Sequence, residues 1–245
     1  MLEIKQFRPD GGNISGLPRV APQPAETLDC PEPQQFRHHY FYDPAHKFRA
    51  GVWGSSAFAT KLVTQKSHEL VLVAEGEVIM VDEDGRESVF GVNDCFIIPG
   101  GMKRRWIHRD LAIVYFVSYE DGQNPDNSRL VVVDPNASLA PSAPPAQDVL
   151  LTPTPTTNIN VAYESPSKVW SGGVWSATPY HRKQVPFPRY EFMHLLDGEV
   201  SFTHQNGETK SFKKGDSFLV PPGVVADWHS AVNVRKIFSV FRPPV

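Results

Sequence analysis

The segment HELVLVAEGEV, from His68 to Val78, returns later in the chain as YEFMHLLDGEV, from Tyr190 to Val200. Glutamate is second and Gly-Glu-Val is last in both copies, and Gly76 and Gly198 lie 122 positions apart. The same offset aligns further pairs without a gap: Asp94 with Asp216, Pro99 with Pro221, Trp106 with Trp228, and Phe116 with Phe238. The chain is therefore an internal duplication, and its architecture follows from the repeated unit.

The duplication divides the 245 residues into four predicted segments. The repeat units cover residues 28–120 and 150–245, and each is close to the size of a small domain. Residues 1–27, with two adjacent glycines and several prolines, are predicted to form an N-terminal arm. Residues 121–149 are rich in Pro, Ser, Asn and Asp, which disfavours a helix and predicts a linker.

The repeat units show the pattern of short β-strands. Their apolar runs are short, rich in Val, Ile and Phe, and separated by turn residues. The segments DEDG at 82–85 and HQNG at 204–207 are typical of hairpin turns, where glycine accepts a positive φ. No window has a 3.6-residue period over helical length, so the predicted class is all-β, with each repeat forming a barrel or sandwich.

Composition excludes several kinds of partner. The formal net charge of −3 is spread over both signs, and the only basic cluster is Lys103-Arg104-Arg105, which argues against nucleic acid. The N-terminus lacks the apolar run of a signal peptide, and no segment resembles a membrane span, so we expect a cytoplasmic protein without a membrane partner. Cys30 and Cys95 are far apart, which supports neither a disulfide framework nor a thiolate zinc site.

Glutamate, six residues, glycine, then an Asn-Asp or Gly-Asp pair, Pro-x-Gly and tryptophan follow one another in both repeats. This order resembles the cupin superfamily, and the two segments look most like the cupin_3 family, also called the DUF861 or ureidoglycine aminohydrolase-like family. The resemblance implies a bicupin, with two tandem jelly-roll barrels. It also implies that Glu69 and Glu191 face the open interior of their barrels, here called the cup.

Metal-binding cupins hold their ion with three histidines and this glutamate, but the histidine positions are substituted here. The first two are Leu62 and Thr64 or Val63 and Gln65 in one copy, Gln184 and Pro186 or Val185 and Phe187 in the other, and the third is Arg104 or Ala226. A guanidinium repels a divalent ion, and alanine has no lone pair to offer. The sequence therefore predicts no metal site and no cofactor.

In the first cup, Arg104 stands at an inward position, and two interpretations of Glu69 and Arg104 remain open. They could form a structural ion pair, because a buried carboxylate needs a partner. They could also orient a ligand, with Arg104 gripping a carboxylate or phosphate. Trp106 either fills the core or forms a pocket wall that offers its indole N–H.

In the second cup, Ala226 replaces the arginine, so Glu191 has no evident cationic partner. The small side chain is predicted to leave open volume beside Met193 and Trp228. A noncanonical cluster of His181, His229 and Glu191 is a further hypothesis. The sequence favours neither cup over the other.

These residues predict a bicupin that binds a small polar metabolite in one or both cups. The candidate ligand-binding residues are Glu69, Arg104, Trp106, Glu191, Met193 and Trp228. One alternative, implied by the ureidoglycine aminohydrolase resemblance, is a metal-dependent enzyme acting on a small nitrogenous metabolite. Another is a structural or regulatory dimer with filled cups. A homodimer is expected, because unpaired sheet edges favour association; the alternative is that the two halves of one chain pair with each other.

Overall fold

A computed structural model describes residues 2–12, 16–21, 23–123, 125 and 128–243. Residues 1, 13–15 and 22 of the predicted arm, residues 124, 126 and 127 of the predicted linker, and residues 244 and 245 of the second repeat unit lie outside these ranges. Within the described residues, the regular structure is β-strand apart from two short 3₁₀ turns, Ala25–Thr27 and Gln147–Val149. Neither turn has the length or apolar character needed to cross a membrane. The all-β class predicted from the sequence is confirmed.

The strands are numbered in chain order. The first twelve are β1 Lys5–Phe7, β2 Arg19–Val20, β3 Gln35–Asp43, β4 Phe48–Ser55, β5 Phe58–Ala59, β6 Val63–Thr64, β7 His68–Glu75, β8 Val78–Asp82, β9 Glu87–Phe90, β10 Cys95–Ile98, β11 Lys103–His108 and β12 Ala112–Tyr119. The others are β13 Val131–Val132, β14 Ala140–Pro141, β15 Thr157–Glu164, β16 Trp170–Ala177, β17 Tyr180–Pro186, β18 Tyr190–Asp197, β19 Glu199–Thr203, β20 Thr209–Lys213, β21 Ser217–Val220, β22 Val225–Ser230 and β23 Val234–Phe241.

The duplication is visible strand by strand. Strands β4, β7, β10, β11 and β12 recur as β16, β18, β21, β22 and β23 with both ends displaced by 122 residues. The two 3₁₀ turns obey the same offset. The chain thus contains two equivalent jelly-roll barrels, as predicted.

The first compact unit comprises residues 7–132 and 165–168. A seven-stranded sheet has the order β13-β10-β7-β12-β4-β3-β2, and a second sheet has the order β5-β11-β8-β9, with β6 also on β11. The core draws side chains from both sheets, including Val71, Met80, Phe96 and Trp106. The two sheets therefore enclose one apolar core, as in a jelly roll.

The second compact unit comprises residues 133–164 and 169–243 together with residues 2–6. Its sheets have the orders β1-β21-β18-β23-β16-β15-β14 and β17-β22-β19-β20. Strand β1 therefore joins β21, and β13 holds the equivalent edge place beside β10 in the first unit. Short segments from the predicted arm and linker thus cover a sheet edge in each unit, which removes unpaired backbone groups.

The glycine of the repeated Gly-Glu-Val motif has a steric role in both barrels. Gly76 and Gly198 have φ of +75° and +83°. A Cβ atom on Gly76 would lie 2.3 Å from the Leu111 carbonyl oxygen, and one on Gly198 would lie 2.1 Å from that of Asn233. Only glycine combines a positive φ with this close approach, which explains its presence in both copies.

Candidate functional site

Each barrel has a cavity in its cup, and the two cavities occupy equivalent positions. The first cup, of about 110 Å³, is lined by Gln23, Arg37, His39, Arg49, Trp53, Glu69, Arg104, Trp106, Val114 and Phe116. Adding 122 to each number except that of Arg104 gives a residue that lines the second cup, a cavity of about 400 Å³. The second cup is further lined by Tyr180, Arg182, Phe187, Arg189, Met193 and Arg242, among others.

In the first cup, a glutamine lies between the two predicted site residues. Gln65 donates from Nε2 to Glu69 Oε2 at 3.0 Å and accepts at Oε1 from Arg104 Nη2 at 2.9 Å. No direct ion pair joins Glu69 to Arg104 within the described part of the chain, so that hypothesis is wrong. The amide takes this place because it carries a donor and an acceptor on one short side chain.

Arg104 keeps unused hydrogen-bonding capacity. Its Nε and Nη1 atoms are buried and have no partner among the described residues. Burial lowers the pKa of Arg104, and the nearby Glu69 opposes that shift. The guanidinium carbon lies 5.6 Å from the centroid of the Trp106 ring. Arg37 and Arg49 also line this cup, so three arginines and one glutamate are among the residues that line it.

Trp106 and Trp228 form cup walls, and their indole N–H groups are already hydrogen-bonded within the protein. Trp106 Nε1 donates to His108 Nε2 at 2.7 Å, and Trp228 Nε1 donates to Ser230 Oγ at 3.3 Å. The idea that these indoles offer an N–H to a ligand is therefore wrong. Their rings remain cup linings, with Trp53 set edge-on to Trp106.

In the second cup, Glu191 has two cationic partners that sequence reasoning missed. Lys236 Nζ lies 2.8 Å from Oε1, and Arg189 donates to Oε2 from Nε at 3.2 Å and from Nη2 at 3.1 Å. The prediction that Glu191 lacks a cationic partner is wrong. Burial alone would raise the pKa of Glu191, but Lys236 and Arg189 lower it to about 2.

The Lys236 ammonium group lies beside two tryptophan rings and one methionine sulfur. Its Nζ lies 4.6 Å from the centroid of Trp175, 4.9 Å from that of Trp228, and 3.2 Å from Met193 Sδ. Burial lowers the pKa of Lys236, while Glu191 opposes this change. The carboxylate and the ring faces all favour the ammonium form, so the second cup contains a built-in cation.

The proposed histidine cluster does not form. His181 and His229 are adjacent across strands β17 and β22, with ring centroids 4.7 Å apart, and His181 Nε2 lies 3.1 Å from Asp227 Oδ2. Their strand neighbours Arg182 and Trp228 line the cup, so alternation places the histidines on the opposite face, away from Glu191. Among the described residues, no three His, Cys, Asp or Glu side chains are grouped to hold a metal.

The side chains around each glutamate do not fit the metal that cupins of other kinds bind. In the second cup an ammonium group already lies at hydrogen-bond distance from Glu191. In the first cup Glu69 is accompanied by an amide and by guanidinium groups. Cations beside a lone carboxylate disfavour a divalent ion, which needs three or four donor ligands.

Sequence signals existed for some of the missed residues. Arg189 precedes Glu191 by two positions, the spacing at which an extended chain places two side chains on the same side. Lys236 interrupts an apolar strand at the place where the first repeat has Val114. Arg182 alternates in the same way with Tyr180, and both line the second cup.

Comparison with solved structures agrees with this architecture. A protein of unknown function of the DUF861 family from Pseudomonas syringae pv. tomato has a TM-score of 0.80 and 24% identity, over 98% of this chain and all of that one. Protein Ylba from E. coli, also DUF861, has a TM-score of 0.51 and 11% identity, over 100% and 94% of the two chains. A cupin 2 conserved barrel domain protein from Leptotrichia buccalis has a TM-score of 0.52 and 10% identity, over 85% and 89%.

The two barrels, with their equivalent cups, define a bicupin. Residues 164–238, which make up most of the second barrel, match the sequence model of the EutQ-like cupin domain family, Cupin_3. A search of curated proteins finds no match to the chain.

Proposed function

We propose that this protein binds a small organic anion, such as a metabolite with one or two carboxylates, in its second cup. The observation that carries the proposal is Arg182. Its Nε is buried without a partner among the described residues, and its guanidinium carbon lies 4.5 Å from the centroid of Phe187. A buried donor without a partner is costly, and an anionic ligand would satisfy it.

The charge of the second cup supports an anion. Arg182 and Arg242 line the cavity together with Glu164, while Lys236 and Arg189 are already paired with Glu191. Among the described residues that line the cavity, the cationic side chains therefore outnumber the carboxylates. Such an excess in a concave site attracts anions.

The size and walls of the cavity describe the rest of the ligand. A volume of about 400 Å³ lies within the range of small-molecule sites. Trp175, Trp228, Phe238 and Val240 supply apolar surface. The ligand should thus have a short apolar or planar body beside its anionic end.

The low pKa of Glu191 favours a binding role for this residue. A carboxylate with a pKa of about 2 stays ionised and is a weak base at neutral pH. It serves as a hydrogen-bond acceptor that also holds Lys236 and Arg189 in place.

Isothermal titration of the protein with pyruvate, succinate and malate, each compared with its uncharged amide, tests the proposal. We expect the acids to bind and the amides not to bind. Arg182→Thr, which installs the residue found at the equivalent position Thr60, should weaken binding at least about tenfold. Lys183→Thr removes an exposed charge from the same strand and should have little effect. Equal binding of acids and amides, or full affinity in Arg182→Thr, would overturn the proposal.

A further inference from the structure

We infer that the first cup is a second and separate ligand site, which takes a compact carboxylate bearing a hydroxyl or amino group on the neighbouring carbon. The site is built around Arg104, Gln65 and Glu69. It lies wholly within the first compact unit, and it does not depend on the proposed function of the second cup.

Arg104 supplies the anion-binding group. The bond from Nη2 to Gln65 fixes the guanidinium, and Nε and Nη1 remain buried with no partner in the described ranges. Leaving a charged donor buried and unsatisfied is more costly than leaving a neutral donor so, and an oxygen atom of a ligand in the cup would satisfy it. Ala226 at the equivalent position shows that the fold does not need the guanidinium.

Two further arginines set the sign of the charge. Arg37 and Arg49 line the same cavity, and Glu69 is the one carboxylate in the lining. Gln65 is neutral and joins Glu69 to Arg104, so it leaves the excess of positive charge in place. A carboxylate group on the ligand complements this charge.

Glu69 determines the second group on the ligand. Its Oε2 accepts from Gln65 at 3.0 Å, whereas Oε1 accepts no hydrogen bond from the described residues. A second carboxylate on the ligand would be repelled by Glu69. A hydroxyl or ammonium group at that place on the ligand would instead donate a hydrogen bond to Glu69 Oε1. The pair Arg104 and Glu69 therefore selects a molecule with an acid at one end and a donor beside it.

The cavity limits the size of the ligand. Its volume of about 110 Å³ is below the roughly 150 Å³ of a cavity that holds benzene. The ligand therefore has about six non-hydrogen atoms or fewer. Glycolate, lactate and glycine meet this limit and carry both groups.

Isothermal titration with glycolate, lactate and glycine tests the assignment, with acetate, phosphate and glycolamide as comparators. At least one of the three probes should bind more tightly than acetate, which lacks the donor, and than glycolamide, which lacks the charge. Arg104→Ala should reduce that affinity at least about tenfold. Arg105→Ala removes a neighbouring guanidinium that pairs with Asp29 at 2.7 Å, outside the cup lining, and should bind normally.

Each remaining outcome decides the question. No binding of the three probes, unchanged affinity in Arg104→Ala, or phosphate or acetate binding as tightly as the best probe would overturn the assignment. Glu69→Gln should bring the affinities for glycolate and acetate closer together, and an unchanged ratio would also contradict it. Arg182→Thr should retain this binding, so failure at one cup is distinguishable from failure at the other.

Discussion

Lys236 and Glu191 form a buried ion pair in the second cup, with Nζ 2.8 Å from Oε1, where the first repeat places Val114 and Glu69. The two cups thus keep the same glutamate but neutralise it differently. In the second cup, the ammonium of Lys236 and the guanidinium of Arg189 contact the glutamate. In the first cup, the amide of Gln65 contacts the glutamate and is hydrogen-bonded in turn to the guanidinium of Arg104. This difference follows from single substitutions at matched positions, and it leads to distinct predictions for the two barrels.

Removing the built-in cation should destabilise the protein. In Lys236→Val, Glu191 keeps only Arg189, and breaking a buried pair from one side typically costs about 3–5 kcal/mol. Because Arg189 remains, we expect the free energy of unfolding, measured by urea denaturation, to decrease by about 3 kcal/mol. Lys183→Val, an exposed change in the same barrel, should cost less than about 1 kcal/mol. Equal costs for the two variants would contradict the structural role of the pair.

The lowered pKa of Glu191 makes the stability of the protein depend on pH in the acidic range. The folded pKa of about 2 lies below the ordinary value of 4.5, so the contribution is complete above pH 4.5 and disappears as the pH falls toward 2. This difference between the folded and ordinary pKa values of Glu191 corresponds to about 3 kcal/mol in the free energy of unfolding. Unfolding free energies measured between pH 5 and 2.5, taken as an approximate working range, should fall less steeply in Glu191→Gln than in the natural protein. Parallel slopes would contradict the assignment.

His108 predicts a second acid-sensitive step. Burial lowers its pKa to about 4, and the Ser55 carbonyl opposes this shift. The folded state disfavours the cationic form of His108, so the unfolded chain binds the proton more readily. The protein therefore loses stability as the pH falls from 6.5, the ordinary pKa of histidine, to about 4. Protonation would also end the acceptance of the Trp106 N–H by Nε2. His108→Gln, which keeps an acceptor without titrating, should lose less stability over this range, as measured by thermal unfolding at several pH values.

We predict that neither cup holds a cupin-type transition metal. Each glutamate is accompanied by cationic or amide groups where three further donors would be needed. Elemental analysis of protein purified without chelator should give far less than one equivalent of manganese, iron, nickel or zinc. Near-stoichiometric metal that is lost in Glu69→Ala or Glu191→Ala would overturn this prediction.

The homodimer expected from sheet edges stays a prediction. The outer strands β2, β13 and β14 have two residues each and β1 has three, which is short for an edge that invites pairing. Light scattering at several protein concentrations should give the mass of a dimer, which is twice the 27.4 kDa of one chain. A monomer at every concentration would show that these covered edges do not need a partner chain.

The fold could be predicted because its determinants are local and repeated. Strand alternation, the Gly-Glu-Val turn and the constant offset each depend on residues close together in the chain. Gly76 and Gly198 illustrate this point. Each has a positive φ and a carbonyl oxygen too close for a Cβ atom, so the turn requires glycine at the same position in both repeats.

The sequence by itself determined the two barrels, the inward direction of Glu69 and Glu191, and the loss of the metal-binding histidines. The tertiary structure alone decided which side chains meet those glutamates. Lys236 is 45 residues from Glu191 and reaches it because β23 pairs with β18. Alternation gives the face on which a side chain lies, but the reach of a long side chain across a sheet depends on register and packing, and these are set only when distant strands come together.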